Sequence, residues 1–593
     1  MNNLFLHPSL LLMTGACLLP LMRGRLRQPF LLAVPLLTLA LVIFINLHPG
    51  CYGLVNFMGR WQLTFGRVDN LAMVFAGIMA LMTLIGTLYG LDETRLWHHA
   101  AAWFYAAGSL GVIYSGDYLS LFLFWEMMAF ASVFLVWAGR EQDSLAAGFR
   151  YLLVHTFGGL LLLLGFILKY QATGSLAFVL LDENNPQLYT WLIMAGLMLN
   201  AAVVPFHSWL PDAYSKSSIA GAVFMCALTT KTAVYTLIRG FAGFDVLVIL
   251  GIIMAVYGII YALLENNVRR LLGWEIVSQV GYMVTGVGIG TALAINGTCC
   301  HAAAHILYKG LLFMGAGAVI QATGKSRLTE MGGLYQKMPG TLVFMVIGGL
   351  SVSAFPFFSG FVSKSMIITA GFEEHLYAAS LILTAVSVGT FLAAGLRLPY
   401  FMFFSEAKDE SLPKPAETAW NMKLAMLTAA LLCLAIGTFY QPFYRLLPFQ
   451  VDYHPYSPYH LSETLQLLFF TALGFYFFKD KLRPQKGALL DLDWFYRKGG
   501  QAVLWLAVHP VQRLDNLWGR LYRILGLSPL MAAARFWAWF DQKIIDRAVD
   551  GLAGLVKSTG GKIAAIFQRG QVQQTIYYSI SLITLALIAY AFL

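Results

Sequence analysis

Several ionisable side chains stand in stretches otherwise fit only for hydrocarbon. Glu126 lies in LFLFWEMMAF, Lys231 in CALTTKTAVY and Lys309 in HILYKGLLF, each flanked on both sides by apolar residues; Lys364 lies in FPFFSGFVSKSMI. His301, His305 and Lys309 are spaced by four, which places them on one helix face over two turns. A charged group at the centre of a bilayer costs about 2.5–3.5 kcal/mol on insertion scales, so its presence marks an ion or proton path by default. Burial moves lysines and carboxylic acids toward neutrality, where a group takes up and releases protons in turn, and histidine titrates there already. Glu275, one turn inside LLGWEIVSQVGYM, joins this set as an accessory position, together with Asn200, His207 and Asp212 around PFHSWLPDA. Asp212, like Glu265, Arg269 and Arg270, falls at an expected helix end, where a solvated anchor competes with a role at the mouth of a path.

Other chemistries lack their residues. Histidines at i and i+4 also suit zinc, but HEXXH is absent and no third ligand is evident. The six cysteines (Cys17, Cys51, Cys226, Cys299, Cys300, Cys433) form no CxxC and read as small buried hydrophobes. GVGIG at 286–290 sits in an apolar run with no soluble strand before it, which argues against a dinucleotide site. No metal, cofactor or nucleic-acid partner is expected. Without a catalytic triad or a phosphate loop, the energy must come from an ion gradient or from a partner.

The elements that position these residues are membrane helices. The 593 residues are 59% hydrophobic and 11% charged, with a mean hydropathy of +0.69, against the roughly 25% charge of soluble domains. About sixteen apolar runs near 20 residues recur from 8–22 to 572–593, each able to cross a bilayer core of roughly 30 Å. The first has no small-residue cleavage site after it and reads as a retained helix. Pro205 follows the seventh run and Pro356 divides the twelfth, in corresponding places of two five-helix blocks; interrupted helices are tolerated where protein or water replaces the lost bonds. With the N-terminus outside, the basic residues Arg23, Arg25, Arg27, Arg95, Arg140, Arg150, Lys216, Arg269, Arg270, Lys325, Arg327 and Lys337 all fall in or beside cytoplasmic loops. Residues 479–571 hold fifteen Lys or Arg against seven Asp, most of the chain's formal +10. Apolar residues recur there at helical spacing (Leu514, Leu517, Trp518, Leu521, Leu525). This predicts amphipathic helices along a membrane face or a partner, broken near Pro510, Pro529 and Gly560–Gly561.

The motifs then become recognisable. FWEMM around Glu126, PFHSWLPDAY at 205–214, LTTKTAVY at 228–235, VSQVGYM at 277–283, HAAAHILYKGLLF at 301–313, MGGL at 331–334 and FPFFSGFVSK at 355–364 resemble the antiporter-like proton-translocating subunits shared by Mrp-type sodium/proton antiporters and respiratory complex I. The resemblance runs in order through about residues 100–405. LTTKTAVY and FYRLLPFQVDYHPYSPYH look most like the Mrp D subunit, whereas the basic tail with a final helix looks like the lateral helix of the complex I L subunit.

The resemblance implies an all-α polytopic membrane protein of about 14–16 transmembrane helices with two inverted five-helix repeats containing broken helices, a C-terminal amphipathic lateral segment and a final transmembrane helix. Its divisions would be N-terminal helices 1–97, a first repeat 98–240, a second repeat 241–405, additional helices 406–480, the lateral segment 481–571 and a last helix 572–593. Carried over by position, Glu126, Lys231, His301, His305, Lys309 and Lys364 form the proton path.

One position departs: the family's seventh helix usually carries a lysine five residues before the proline of PFH, and here it is Asn200, which cannot carry a proton. Lys231 is then the nearest partner for Glu126. Glu275 also departs, since a neutral residue or histidine is usual there. The implied function is monovalent cation (sodium)/proton antiport within a multisubunit complex of the bacterial or archaeal inner membrane, with the lateral segment on the cytoplasmic side. The alternatives are a proton-pumping subunit of a redox complex, or a membrane energising partner for inorganic-carbon uptake. Partners would be other membrane subunits, the bilayer, protons and sodium.

Overall fold

The computed structural model describes residues 5–59, 61–139, 142–406, 418–485, 487, 490–567 and 572–592, so Arg140 lies outside the described residues. They fall into two units, Met1–Leu492 and Asp493–Leu593.

The first unit runs α1 (Pro8–Leu18), α2 (Arg27–Asn46), a hairpin of β1 (Gly50–Phe57) and β2 (Trp61–Val68), α3 (Asn70–Tyr89), α4 (Leu96–Tyr114), α5 (Tyr118–Trp137), α6 (Ser144–Thr173), α7 (Leu188–Asn200) and α8 (Trp209–Lys216). It continues with α9 (Ile219–Ala227), α10 (Thr229–Phe241), α11 (Asp245–Leu264), α12 (Val268–Ile289), α13 (Ala292–Thr323), α14 (Pro339–Val352), α15 (Ser359–Glu373), α16 (Tyr377–Thr390), α17 (Trp420–Thr438), α18 (Tyr440–Tyr444) and α19 (Pro458–Phe478). Side-chain caps set several starts: Asp69, Asp117 and Thr291 accept from the N–H groups of Ala72, Ser120 and Ala294 at the heads of α3, α5 and α13.

Eleven helices among the described residues are long and apolar enough to cross a membrane, one of them in the second unit. Adding α1, α4, α12 and the two broken helices α7/α8 and α14/α15 gives sixteen, the upper figure expected. α4 and α12 have the length but carry His98 and His99, or Arg269, Arg270 and Glu275. Both are buried along most of their circumference, so protein rather than lipid meets these groups. α11 and α12 pack backbone to backbone: a methyl added at Gly258 or Gly281 would stand 2.5 or 2.6 Å from a main-chain nitrogen of the other helix.

The two broken helices end in the same way. After α7, Ala202 adopts φ +58°, its N–H donates to Leu199 O, and the Val203 N–H donates to Met198 O. After α14, Ala354 adopts φ +57°, its N–H donates to Ser351 O, and the Phe355 N–H donates to Leu350 O. Both are Schellman caps with alanine where glycine is usual, a choice that costs about 1–2 kcal/mol each. Pro205 and Pro356, each two or three residues on, cannot continue the helix.

The hairpin has no counterpart in the all-helical expectation. Its antiparallel register runs from Gly50↔Val68 to Phe57↔Trp61, and Thr64 N–H donates to Asp117 at the head of α5. Short and aromatic-rich, it lies between two longer apolar runs that mask its alternation.

In the second unit, α20 (Asp493–Leu506), α21 (Gln512–Leu521), α22 (Ser528–Phe540) and α23 (Asp546–Phe567) join without interruption through π-helical turns at Ala507–Val511, Tyr522–Leu527 and Asp541–Ile545, on the order of 100 Å of helix. The expected breaks do not occur. Pro510 sits inside the first π turn and Pro529 at the start of α22, positions where a missing N–H is absorbed. Gly560 and Gly561 continue α23. α24 (Val572–Phe592) is the last apolar helix.

Candidate functional site

The ionisable residues occupy helices that meet at interruptions. In the first half, Glu126 on α5 is half-buried, with Oε1 lacking a protein partner. It reaches over α6 at Gly159, where a methyl would stand 1.9 Å from Oε1, so any side chain at 159 would displace the carboxylate from this position. One turn earlier on α6, His155 is fully buried, with neither ring nitrogen partnered among the described residues. Its ring faces the Asn200 side chain at the end of α7. Tyr151 and Trp209 flank it at ring-centroid distances of 4.1 and 4.5 Å. Asn200 is equally buried, and its carboxamide makes no hydrogen bond of ordinary length to protein.

The eighth apolar run is a third interruption. The α9–α10 junction at Leu228 leaves main-chain groups over, and side chains take them up. The Thr229 N–H donates to the Tyr105 hydroxyl (2.9 Å), the Tyr214 hydroxyl donates to Met225 O (2.6 Å) and Lys231 Nζ donates to Cys226 O (2.8 Å) and to Thr230 (3.1 Å). Glu126 and Lys231 form no ion pair among the described residues; the expected direct pairing is replaced by a row of hydroxyls. Tyr151 is 2.7 Å from Ser132 and faces Thr229, which is 2.5 Å from the Tyr105 hydroxyl.

In the second half, α12 and α13 bring Glu275 and Lys309 together: Nζ lies 2.5 Å from Oε2, with both side chains at zero exposure. Such a pair is held by its own complementarity, because either charge alone would be stranded. His301 Nδ1 is 3.1 Å from Ser363 on α15, and His305, one turn on, has no partner at either nitrogen. His305 lies within electrostatic range of Lys231, Lys309 and Lys364. Lys364 Nζ donates to Val352 O (3.1 Å), the last residue of α14, and sits 5.0 Å from the centre of the Tyr282 ring. Lys231 and Lys364 thus share one device: each ammonium rests on a carbonyl beside a helix break.

Two cavities form candidate mouths, one lined by charged residues at helix ends and one lined mostly by apolar surface around Lys364. A cavity of about 390 Å³ is lined by Asp212, Lys216, Glu265, Arg270 and Arg327, at chain turns that the alternation of spans puts on one face. Asp212 is ion-paired with Arg150 (2.6 Å) and Arg270 with Glu265 (3.5 Å). A cavity of about 470 Å³ reaches Lys364 from the other face, past Ser365, Tyr453, His460 and Glu463. His207, just beyond the first break, faces neither mouth: it is fully buried against Trp274 and Tyr257, 3.3 Å from Asp491.

The structure therefore joins Lys231, His301, His305, Lys309, Lys364 and Glu275 in one buried row and sets Glu126 and Asn200 beside it. Sequence reasoning missed His155 and Asp491. The first was legible as a histidine inside YLLVHTFGG, one turn from Gly159; the second lies in a polar tail whose return to the core leaves no pattern.

Residues 115–392 match the family described as NADH:quinone oxidoreductase/Mrp antiporter, transmembrane. The D subunit of the Na(+)/H(+) antiporter of Alkalihalophilus pseudofirmus is 29% identical over 377 residues, 59% of this chain and 76% of that protein. The N subunit of the NADH-quinone oxidoreductase of Desulforudis audaxviator is 33% identical over 332 residues, 53% of this chain and 65% of that protein. Among solved structures, a chain of the Mrp complex from Dietzia sp. DQ12-45-1b superposes with a TM-score of 0.68 at 22% identity, over 78% of this chain and 98% of that one. With this fold, these relatives and the buried row of ionisable groups, the chain is a multi-pass membrane protein similar to the antiporter-like subunits of the NADH:quinone oxidoreductase/Mrp antiporter family, whose match spans residues 115–392.

Proposed function

We propose that the chain is the proton-translocating subunit of a multisubunit membrane complex that exchanges protons for a monovalent cation, sodium first. The observation that carries this is the buried row Lys231, His305, Lys309–Glu275, His301 and Lys364, which opens at Lys364 onto a cavity that also holds His460 and Glu463. The relative from Alkalihalophilus pseudofirmus belongs to a sodium/proton antiporter.

The central ion pair supplies the coupling. While Lys309 is protonated, Glu275 is compensated. A proton leaving Lys309 through His305 or His301 strands a buried carboxylate, at about 3–5 kcal/mol, until another cation arrives. A proton on Glu275 or a sodium ion at its oxygens both satisfy that demand, and this is where exchange is decided. Lys364 then hands its proton to the cavity that contains His460 and Glu463. The two five-helix blocks, 98–240 and 241–405, act as two half-paths meeting at Lys231 and His305.

In orientation, the face bearing Arg23, Arg25, Arg95, Lys216, Arg270, Lys325 and Arg327 is cytoplasmic and the N-terminus is outside, by the positive-inside bias. The basic, amphipathic second unit serves as a brace against neighbouring subunits.

The test is a sodium pulse to vesicles holding the complete complex, read with a lumenal pH dye. Sodium-driven proton movement that is lost in Glu275→Gln supports exchange; an unchanged signal in that variant sinks it. The likeness to part of an NADH-quinone oxidoreductase favours a second reading, in which redox partners drive the same path. There, proton movement follows an added electron donor and ignores sodium.

A further inference from the structure

We propose that His155 is the proton carrier of the first half-path, doing on α6 what a lysine at position 200 would do on α7. The proposal rests on the transport reading and deepens it. Three observations meet at this ring. First, His155 is wholly buried and, among the described residues, neither ring nitrogen has a hydrogen-bond partner, so one nitrogen can receive a proton while the other releases one. Second, it stands one helical turn from Gly159, over which Glu126 places its carboxylate, and it faces Asn200. A helical turn separates positions i and i+4 by about 6 Å, the span of a single bridging water. Third, Tyr151 packs on it at 4.1 Å and leads through Thr229 to the α9–α10 junction where Lys231 is held.

The proton count closes. Glu126 gives up its carboxyl proton and becomes carboxylate; neutral His155 takes that proton at one nitrogen and becomes imidazolium. It then loses the proton on its other nitrogen to the Tyr151–Thr229 hydroxyl row, which delivers one proton toward Lys231. The histidine is left neutral as its other tautomer. Asn200 suits both tautomers, because its carboxamide offers an acceptor oxygen and a donor NH₂ on the same side chain, which lysine does not. Tyr151 and Trp209, at 4.1 and 4.5 Å, lie within the roughly 6 Å at which an aromatic face attracts a cation and so favour the transient imidazolium. An asparagine at 200 is on this account no loss of function: the ionisable group has moved to the facing helix.

The experiment uses the intact complex in inverted membrane vesicles, with proton uptake read by a pH dye and assembly by sizing. His155→Gln keeps the shape and hydrogen-bonding capacity but cannot carry a proton, and is expected to assemble and slow transport about tenfold or more. Adding Asn200→Lys to it restores a carrier on the neighbouring helix and is expected to recover much of the rate, which a purely structural role for His155 would not allow. Wild-type rates in His155→Gln would overturn the proposal. So would a double variant as slow as the single one while Asn200→Lys alone transports normally. Should His155→Gln fail to assemble, Tyr151→Phe decides: it removes only the relay hydroxyl, and an unchanged rate overturns the proposed route. Absence of proton movement in the wild-type complex would overturn the transport reading itself, and the assignment with it.

Discussion

Asp491 lies 3.3 Å from the ring of His207 and accepts a hydrogen bond of 2.7 Å from the Tyr257 hydroxyl, which fastens the stretch after α19 to the helix break that follows Asn200. Tyr261 adds a bond to Leu490 O and Arg397 one to Leu482 O. The residues leading to the amphipathic helices are thus held against the break of the first half. Burial alone would raise the Asp491 carboxyl, but His207, Tyr257 and the Leu492 N–H together hold it below the usual carboxylate range.

A depressed carboxyl contributes its stabilisation above its unfolded pKa and loses it as pH falls through the folded value. The tether should therefore be complete at neutral pH and released only in acid. Asp491→Asn removes the charge at all pH values. Protease nicking between 482 and 492 should be slow for the wild type at pH 7, faster only below about pH 3, and fast at both for the variant. Equal nicking of wild type and variant at pH 7 would show that the pair holds nothing.

Gly159→Ala should stop transport without unfolding the complex. The new methyl would overlap Glu126 Oε1 at 1.9 Å and turn the carboxylate away from His155. Alanine favours a helix by about 1 kcal/mol over glycine, so α6 itself is not weakened. Gly158→Ala is the control: the nearest atom to its methyl would be a flexible Leu199 carbon at 3.3 Å. A tenfold or greater loss of rate is expected for the first, and near wild-type rate for the second; equal rates would remove Gly159 from the site.

Much of this was legible in the residues. Each ionisable side chain that apolar flanks made conspicuous, from Glu126 to Lys364, came from a run long enough to state its own environment, and all but Glu126 prove fully buried or nearly so. The α9–α10 break was not legible, because its cause is tertiary: the spare backbone groups are satisfied by Tyr105 and Tyr214, about 120 and 10 residues away, and no proline or glycine marks Leu228. The missing Glu126–Lys231 pair has the same origin. Spacing along each helix is written in the sequence, whereas which faces of α5, α6 and α10 meet is decided by packing. The expected breaks in the second unit failed for a local reason, since π turns absorb a proline that a pure α-helix would reject.

The Glu275–Lys309 pair should show strong non-additivity. Glu275→Gln or Lys309→Met alone leaves one buried charge uncompensated, at about 3–5 kcal/mol, whereas the double replacement buries no charge and should regain most of that stability. Thermal inactivation of the detergent-solubilised complex measures stability, and vesicle proton uptake measures transport, which should be lost in all three variants. Additive losses of stability would mean that the two groups do not meet.

The α9–α10 break depends on two tyrosine hydroxyls. Tyr105→Phe strands the Thr229 N–H and Tyr214→Phe strands Met225 O, each within the buried centre, at about 1–3 kcal/mol apiece. The two should differ in function. The Tyr105 hydroxyl is also 2.5 Å from Thr229 Oγ1, at the end of the row that leads to Lys231, so its removal should lower both stability and proton uptake. Among the described residues the Tyr214 hydroxyl bonds the Met225 carbonyl alone, and its removal should lower stability without slowing uptake. Thermal inactivation and dye-monitored uptake, measured on the same vesicles, separate the two. If Tyr214→Phe slowed uptake as much as Tyr105→Phe at matched stability, the hydroxyl row would be a structural brace for the break and not a route for protons.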